Sequence, residues 1–235
     1  AKKFAYDLET TGFDFNNEEL ICMSIAVPNV DNEPETFVVP FNLSLSQRAE
    51  AGISELLTAE EIMQTLAPVF TDKSILKIGH NIKLDMHFLD MLSDGMCRIF
   101  PYDDIEIMSY VLDSSSHSHD IGTLSELFLD INGQKDDDVF GVGKQRINPD
   151  KVDENVLKNY MCEQADFTFR LCGILRQRLL NEHMVTIYEH FDRPLVATLF
   201  EMEKNGVTVN VAQLSDFSKQ LEKRQQDIEQ EIFSI

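Results

Sequence analysis

Paired cysteines, an excess of basic residues and any apolar run of membrane length are all missing from this 235-residue chain. The four cysteines, Cys22, Cys97, Cys162 and Cys172, include no C-x-x-C pair. That argues against a zinc site and against a disulfide framework, and it fits a reducing, cytoplasmic setting. No apolar stretch approaches the roughly 18 residues needed to span a bilayer, and the N-terminus lacks a signal-peptide pattern, so no membrane partner is expected. Bases are scarce: 20 Lys and Arg stand against 41 Asp and Glu, a net charge of −21. This is the reverse of the basic footprint of a general DNA binder. An anionic substrate must then be held locally, and carboxylates clustered around a divalent cation do that.

What is present is enough for a sizeable core, with 43% hydrophobic residues, in one large domain or one domain plus a piece of another. The pattern is mixed α/β. FAYDLET, ICMSIAV and TFVVPF predict three successive strands separated by the turn-rich DFNNEE and PNVDNEPE, a β-meander. TAEEIMQTLAPVF predicts a helix capped by Thr58, SILKIGHN a short buried strand ending at Gly79, and IKLDMHFLDML a second helix. Three more helices are expected in DDIEIMSYVLD, GTLSELFLDI and the long stretch from Asp153. Residues 113–120 and 132–150 read as polar loops, the second long enough to suggest a substrate-facing or mobile segment. Near residue 182 the character changes to a helix ending at Gly206, a short strand, and a long charged helix. The boundaries are therefore placed at 1–181 and 182–235. Because the chain opens inside an expected strand, it is expected to be trimmed at its N-terminus.

The chemistry starts in YDLETTG, where Asp7 and Glu9 stand two residues apart. On a strand of period two they share a face, so two like charges crowd together and call for a counter-charge. Taken alone, such a pair is more often a solvated strand end. Asn81 and Asp85 are four apart in GHNIKLD, and Tyr160 and Gln164 four apart in NYMCEQAD, the spacing of one helical turn. Brought together, these form a cluster of oxygens suited to Mg²⁺ or Mn²⁺. His80, His87, His117 and His119 show no metal-site spacing, and are expected at the surface or in hydrogen bonds. KDDDVF reads as a solvated charge run.

As a set, DLETTG, GHNIKLDMHFL and NYMCEQADFTF, in this order, resemble the three motifs of the 3′→5′ proofreading exonuclease domain of family A DNA polymerases, the bacterial DNA polymerase I type, in the DEDDy exonuclease superfamily. The likeness continues through LDSSSHSHDIGTLSEL and through RPLVATLFEMEKNGVTVN, which is similar to the start of the polymerase domain. The resemblance implies a ribonuclease H-like fold, a mixed sheet flanked by helices and followed by a short, mostly helical segment. It implies two divalent cations, Mg²⁺ or Mn²⁺, and hydrolysis of the 3′-terminal phosphodiester of single-stranded DNA. Asp7 would bridge both cations, Glu9 would bind the one that activates water, Asp85 would support the second, and Tyr160 would orient the attacking water. Thr10, Phe13 and Asn81 would contact the DNA end. The partners implied are the single-stranded 3′ end and the remainder of the polymerase chain, in a monomer.

One position departs from the pattern. The family expects Tyr-x-x-x-Asp, and here Gln164 follows Tyr160. A Gln carbonyl can coordinate a hard cation but brings no charge, so it is a weak ligand. Neither Glu163 nor Asp166 is a convincing substitute, and attenuated activity is expected. A catalytically silent module that supports the polymerase or holds single-stranded DNA is the alternative. A phosphatase with a nucleophilic aspartate in DLETT is the weakest reading, since it leaves Asn81, Asp85 and Tyr160 without roles.

Overall fold

The structure, a computed structural model, describes residues 2–234. Strands β1 (Lys2–Thr10), β2 (Leu20–Pro28) and β3 (Pro34–Pro40) form the expected antiparallel meander. A short helix α1 (Leu45–Glu50) and then α2 (Ala59–Thr71) follow. Thr58 and Glu61 close a reciprocal capping box at the start of α2, as the T-x-x-E spacing dictates. β4 (Ile75–Gly79) runs parallel to β1 and leads into α3 (Ile82–Leu92). β5 (Tyr102–Asp104) adds a parallel edge, giving the order β3-β2-β1-β4-β5.

Helices α4 (Ile105–Asp113), α5 (Ile121–Leu129), α6 (Asp136–Phe140) and the 28-residue α7 (Glu154–Asn181) follow. A short turn of helix, α8 (Val185–Ile187), passes through a π-helical stretch, Tyr188–Asp192, into α9 (Arg193–Asn205), and α10 spans Val211–Phe233. No helix among the described residues is long and apolar enough to cross a membrane.

The period of β1 sorts its residues between two cores. Phe4 and Tyr6 pack with Phe70, Ile82 and Phe88 on one side, and Ala5 packs with Ala26, Ile78, Ala165 and Leu175 on the other. Ala5 and Ala26 pair across β1 and β2, and these small side chains leave room for α7, which lies against the sheet there. Asp7 and Glu9 continue the Ala5 side of the strand.

Two buried charges fasten the edge beyond β4. Lys77 is fully buried, and its ammonium donates to the carbonyls of Asp72, Ile75 and Phe100 at 2.6, 2.9 and 2.9 Å. Asp103 is also fully buried. It accepts from Arg176 at 2.6 and 2.9 Å, from the Tyr188 hydroxyl at 3.0 Å and from Arg193 at 3.2 Å.

The contacts divide the chain into Ala1–Phe200 and Glu201–Ile235. In the larger unit, Val196 and Phe200 of α9 belong to the core. In the smaller, α10 buries none of its described residues.

Several expectations differ from what is found. Residues 207–210, expected as a short strand, are irregular, and Val207 and Val209 are exposed. β-branched residues favour a strand only where a neighbouring strand receives them. Residues 132–150 are not a structureless loop: they contain α6 and two single-turn 3₁₀ segments, Gly143–Gln145 and Pro149–Lys151. α1 and the three-residue β5 were not foreseen.

Candidate active site

Asp7 and Glu9 lie near the C-terminal end of β1, opposite Ser24 and Cys22 of β2, just before a register shift between Glu9 and Thr10. β1 and β4 are parallel, so the start of α3 arrives at the same end of the sheet. Asp85 sits in the first turn of α3 and is only 5% exposed. Tyr160 and Gln164 are buried on α7, one turn apart. Tyr160 packs with Ile21, Cys22 and Phe140.

The charges of these groups act on one another. Burial pushes Asp7 up to about 6, with His80 opposing the rise. Burial and then the charge of Asp7 hold Glu9 well above the usual carboxylate range. Burial, followed by Asp7, does the same to Asp85. The Tyr160 phenol is raised by burial and next by Glu9 and Asp7, and the Cys22 thiol by burial and the same two acids. Asp7 and Glu9 keep part of their surface open, yet the surrounding protein excludes enough water to disfavour their charge.

Among the described residues, no three His, Cys, Asp or Glu side chains converge tightly enough to hold an ion as they stand. The donor chemistry nonetheless fits a hard divalent cation. The acids supply only oxygens, and Asp85 Oδ2 is a buried acceptor with no hydrogen-bond partner. Such an atom costs free energy until something satisfies it. Gln164 occupies the position at which the motif resemblance implies a charged oxygen, and the two acids near it in sequence are engaged elsewhere. Glu163 accepts from the backbone N–H of Gln134 at 2.9 Å, and Asp166 accepts from Arg170 at 2.8 Å.

The remaining candidates are placed as follows. Thr10 follows Glu9 and donates its hydroxyl to the Gly12 carbonyl at 2.7 Å. Phe13 is 78% exposed in the loop after β1. Asn81 does not share a helix face with Asp85. It precedes α3, in the left-handed region at φ +54°, and is exposed. Asn tolerates that conformation better than most residues. The histidines are structural in their contacts: His80 Nε2 meets the His119 carbonyl at 2.8 Å, and His87 is buried, stacked on Phe15 at 4.0 Å and tilted against Phe200.

Two residues of the setting escaped the sequence reading. Asp136 and Arg146 pair with each other, and both act electrostatically on Glu9 and Tyr160. An acid and a base ten residues apart in a polar stretch give no local signal.

Comparison with known proteins identifies the family and the fold. A family profile described as 3′-5′ exonuclease matches residues 1–180. DNA polymerase I of Rhizobium leguminosarum is 31% identical over 241 residues, covering 98% of this chain and 23% of that protein. DNA polymerase I of Pseudomonas aeruginosa is 28% identical over 237 residues, covering 100% of this chain and 25% of that one. The chain therefore spans about a quarter of these curated relatives. Brucella melitensis NrnC, solved with bound Mg²⁺, superposes with a TM-score of 0.62 at 19% identity, covering 90% of both chains. The same protein bound to pGG gives 0.64 at 18% identity, covering 90% and 89%. The fold is thus ribonuclease H-like, a five-stranded mixed sheet with flanking helices and a helical C-terminal part.

Proposed function

The chain belongs to the 3′-5′ exonuclease family, as the exonuclease domain of a DNA polymerase I, and on that premise we propose that it removes nucleotides from the 3′ end of single-stranded DNA at the Asp7, Glu9 and Asp85 site. The observation that carries this reading is that β1 and the first turn of α3 bring Asp7, Glu9 and Asp85 to one end of the sheet, where Asp85 is buried with an unpartnered oxygen. Asp7, Glu9 and Asp85 would hold two divalent cations, Mg²⁺ or Mn²⁺, with the Gln164 carbonyl as a weak further ligand. When bound, such a cation pair supplies an activated water and a clamp on the attacking and leaving oxygens of an in-line displacement.

The chain's own groups do the rest. Tyr160, held protonated by burial and by Glu9 and Asp7, orients water through its hydroxyl rather than acting as a base. Exposed Phe13 offers a face for the terminal base, and Thr10 and Asn81 flank the site. The bound Mg²⁺ and pGG of the NrnC structures support this ligand class. Residues 1–181 are the exonuclease domain and 182–235 the beginning of the polymerase domain, whose remainder is the chain's partner within a monomeric, cytoplasmic enzyme.

Gln164 favours an attenuated site, because one unit of negative charge is lost where cation affinity depends on it. It also supports a second reading, a silent module that holds single-stranded DNA. A 5′-labelled oligonucleotide with Mg²⁺ or Mn²⁺ separates them. Shortening from the 3′ end that stops in Asp7→Ala and quickens in Gln164→Asp supports an attenuated exonuclease. Cleavage by Gln164→Asp alone supports the silent module. Activity unchanged in Asp7→Ala refutes the site.

A further inference from the structure

α6 and the turn after it build a platform beside the proposed site. Val139 and Phe140 face inward, and the Phe140 ring meets Tyr160 edge-on, with centroids 5.3 Å apart and planes at 90°. The chain then reverses through Gly141 and Gly143, both at positive φ. A Cβ at Gly141 would come within 3.0 Å of the Gln145 carbonyl oxygen, so only glycine fits this turn without strain. Ile147 N–H donates back to the Phe140 carbonyl at 2.7 Å. The reversal lays the Arg146 guanidinium over the Phe140 ring, 5.0 Å from its centroid. Asp136, at the start of α6, takes both terminal nitrogens of Arg146, the Nη2 contact at 3.0 Å. Tyr160, Phe140, Arg146 and Asp136 are thus linked by successive contacts.

We propose that Arg146 is a phosphate-binding residue of this site, receiving a non-bridging backbone oxygen of the single strand whose 3′ end lies at Asp7 and Glu9. The proposal rests on the exonuclease reading and adds a residue that reading does not contain. Three observations support it. The chain carries a net charge of −21, so a polyanion needs local cations, and the Arg146 guanidinium, reached from Tyr160 through the Phe140 ring, favours the charged form of Glu9. Its side chain is 42% exposed, so a strand can reach it. Asp136 uses two of the five N–H donors of a guanidinium, and together with the Phe140 face it holds the planar fork in place. Less entropy is then lost when a phosphate oxygen binds.

A competing role is damping of the repulsion among the carboxylates, and the two roles move different quantities. The test is fluorescence anisotropy of the full chain with a labelled single-stranded oligonucleotide in Ca²⁺, from 50 to 200 mM KCl, with strand integrity checked on a gel. Calorimetric titration of Mn²⁺ without DNA accompanies it. Arg146→Gln is expected to weaken strand binding about tenfold, as loss of a charged hydrogen-bonding group does. It should flatten the log-affinity against log-salt slope by about 0.7, one phosphate's share on a single strand. Arg146→Lys should keep the slope and bind more weakly than the parent, since it keeps the charge and loses the fork. Asp136→Asn should fall between parent and Arg146→Gln.

An unchanged slope in Arg146→Gln overturns the proposal, whether or not Mn²⁺ affinity changes. If Mn²⁺ affinity alone changes, damping is the role. A parent chain that neither binds nor shortens the strand overturns the exonuclease reading and this proposal with it. A parent that does so with an Arg146-independent slope overturns only the proposal.

Discussion

Asp104, the last residue of β5, accepts a 2.9 Å hydrogen bond from the backbone N–H of Ile82, the first residue of α3. Asn81, at the N-cap position of α3, gives no side-chain cap, so the helix that carries Asp85 is capped from a neighbouring strand. The same carboxylate caps α4 through Glu106 and Ile107, at 2.9 and 3.3 Å. Each lost cap typically costs about 1 kcal/mol. Asp104→Ala should therefore lower the unfolding free energy by about 2 kcal/mol, measured by urea denaturation, and should reduce cleavage by displacing Asp85. An unmoved midpoint would mean that the freed N–H groups find other acceptors.

Asp85 sets stability against function. Its buried carboxylate lies among like charges with one oxygen unpartnered, a cost on the order of 1–3 kcal/mol. Asp85→Asn keeps the shape and removes the charge. Thermal unfolding in EDTA should then show a Tm a few degrees above the parent's, since 1 kcal/mol is worth about 2–4 °C at this size. The rise in Tm that Mn²⁺ gives the parent should be lost in the variant. A variant whose Mn²⁺ response matches the parent's would remove Asp85 from the cation site.

Asp103 gathers two arginines and a tyrosine around one fully buried carboxylate. Removing it leaves both guanidinium groups with only the more exposed carboxylate of Glu189. Breaking a buried pair costs about 3–5 kcal/mol. Because Arg176 and Arg193 keep some exposure, the lower end of that range is expected for Asp103→Ala in chemical denaturation. A loss under about 1 kcal/mol, the scale of surface pairs, would show that water replaces the carboxylate.

Asp113 accepts from Arg178 at 2.6 Å, and this bond holds its carboxyl below the usual range. A depressed folded-state pKa gives stability that is complete above the unfolded value, about 3.9. That stability is lost as the pH falls through the folded value. The pair is partly exposed, so Asp113→Asn should cost no more than about 1 kcal/mol at pH 6. The difference from the parent should begin to narrow below the unfolded value and close only once the pH has passed the folded one. A gap that persists there would assign the effect to packing.

Much of the local geometry of the candidate residues was legible because its signals are local. Asp7 and Glu9 share a face through the strand period, Thr58 caps α2 through a four-residue motif, and Tyr160 and Gln164 lie one helical turn apart. What escaped depends on partners distant in sequence. β5 has three residues and exists only as the edge of β4. Asp104 looks like any acid before a helix, and its reach to Ile82 follows from the sheet order. KDDDVF reads as a solvated run, and Asp136 meets Arg146 only because two glycines turn the chain back. VTVN has strand-like residues, but without a neighbouring strand to pair with they stay irregular.

The cluster at Asp103 also bears on where this chain can be cut. The composition changes near residue 182, yet Tyr188 and Arg193 lie beyond that point and are bound to Asp103, and Val196 and Phe200 fill the core around Phe88. A fragment ending at 181 would keep every group of the proposed reaction centre. It would also bare an apolar surface and leave the Asp103 carboxylate short of half its donors, a recipe for aggregation rather than an isolated nuclease. The compact unit defined by the contacts runs through Phe200.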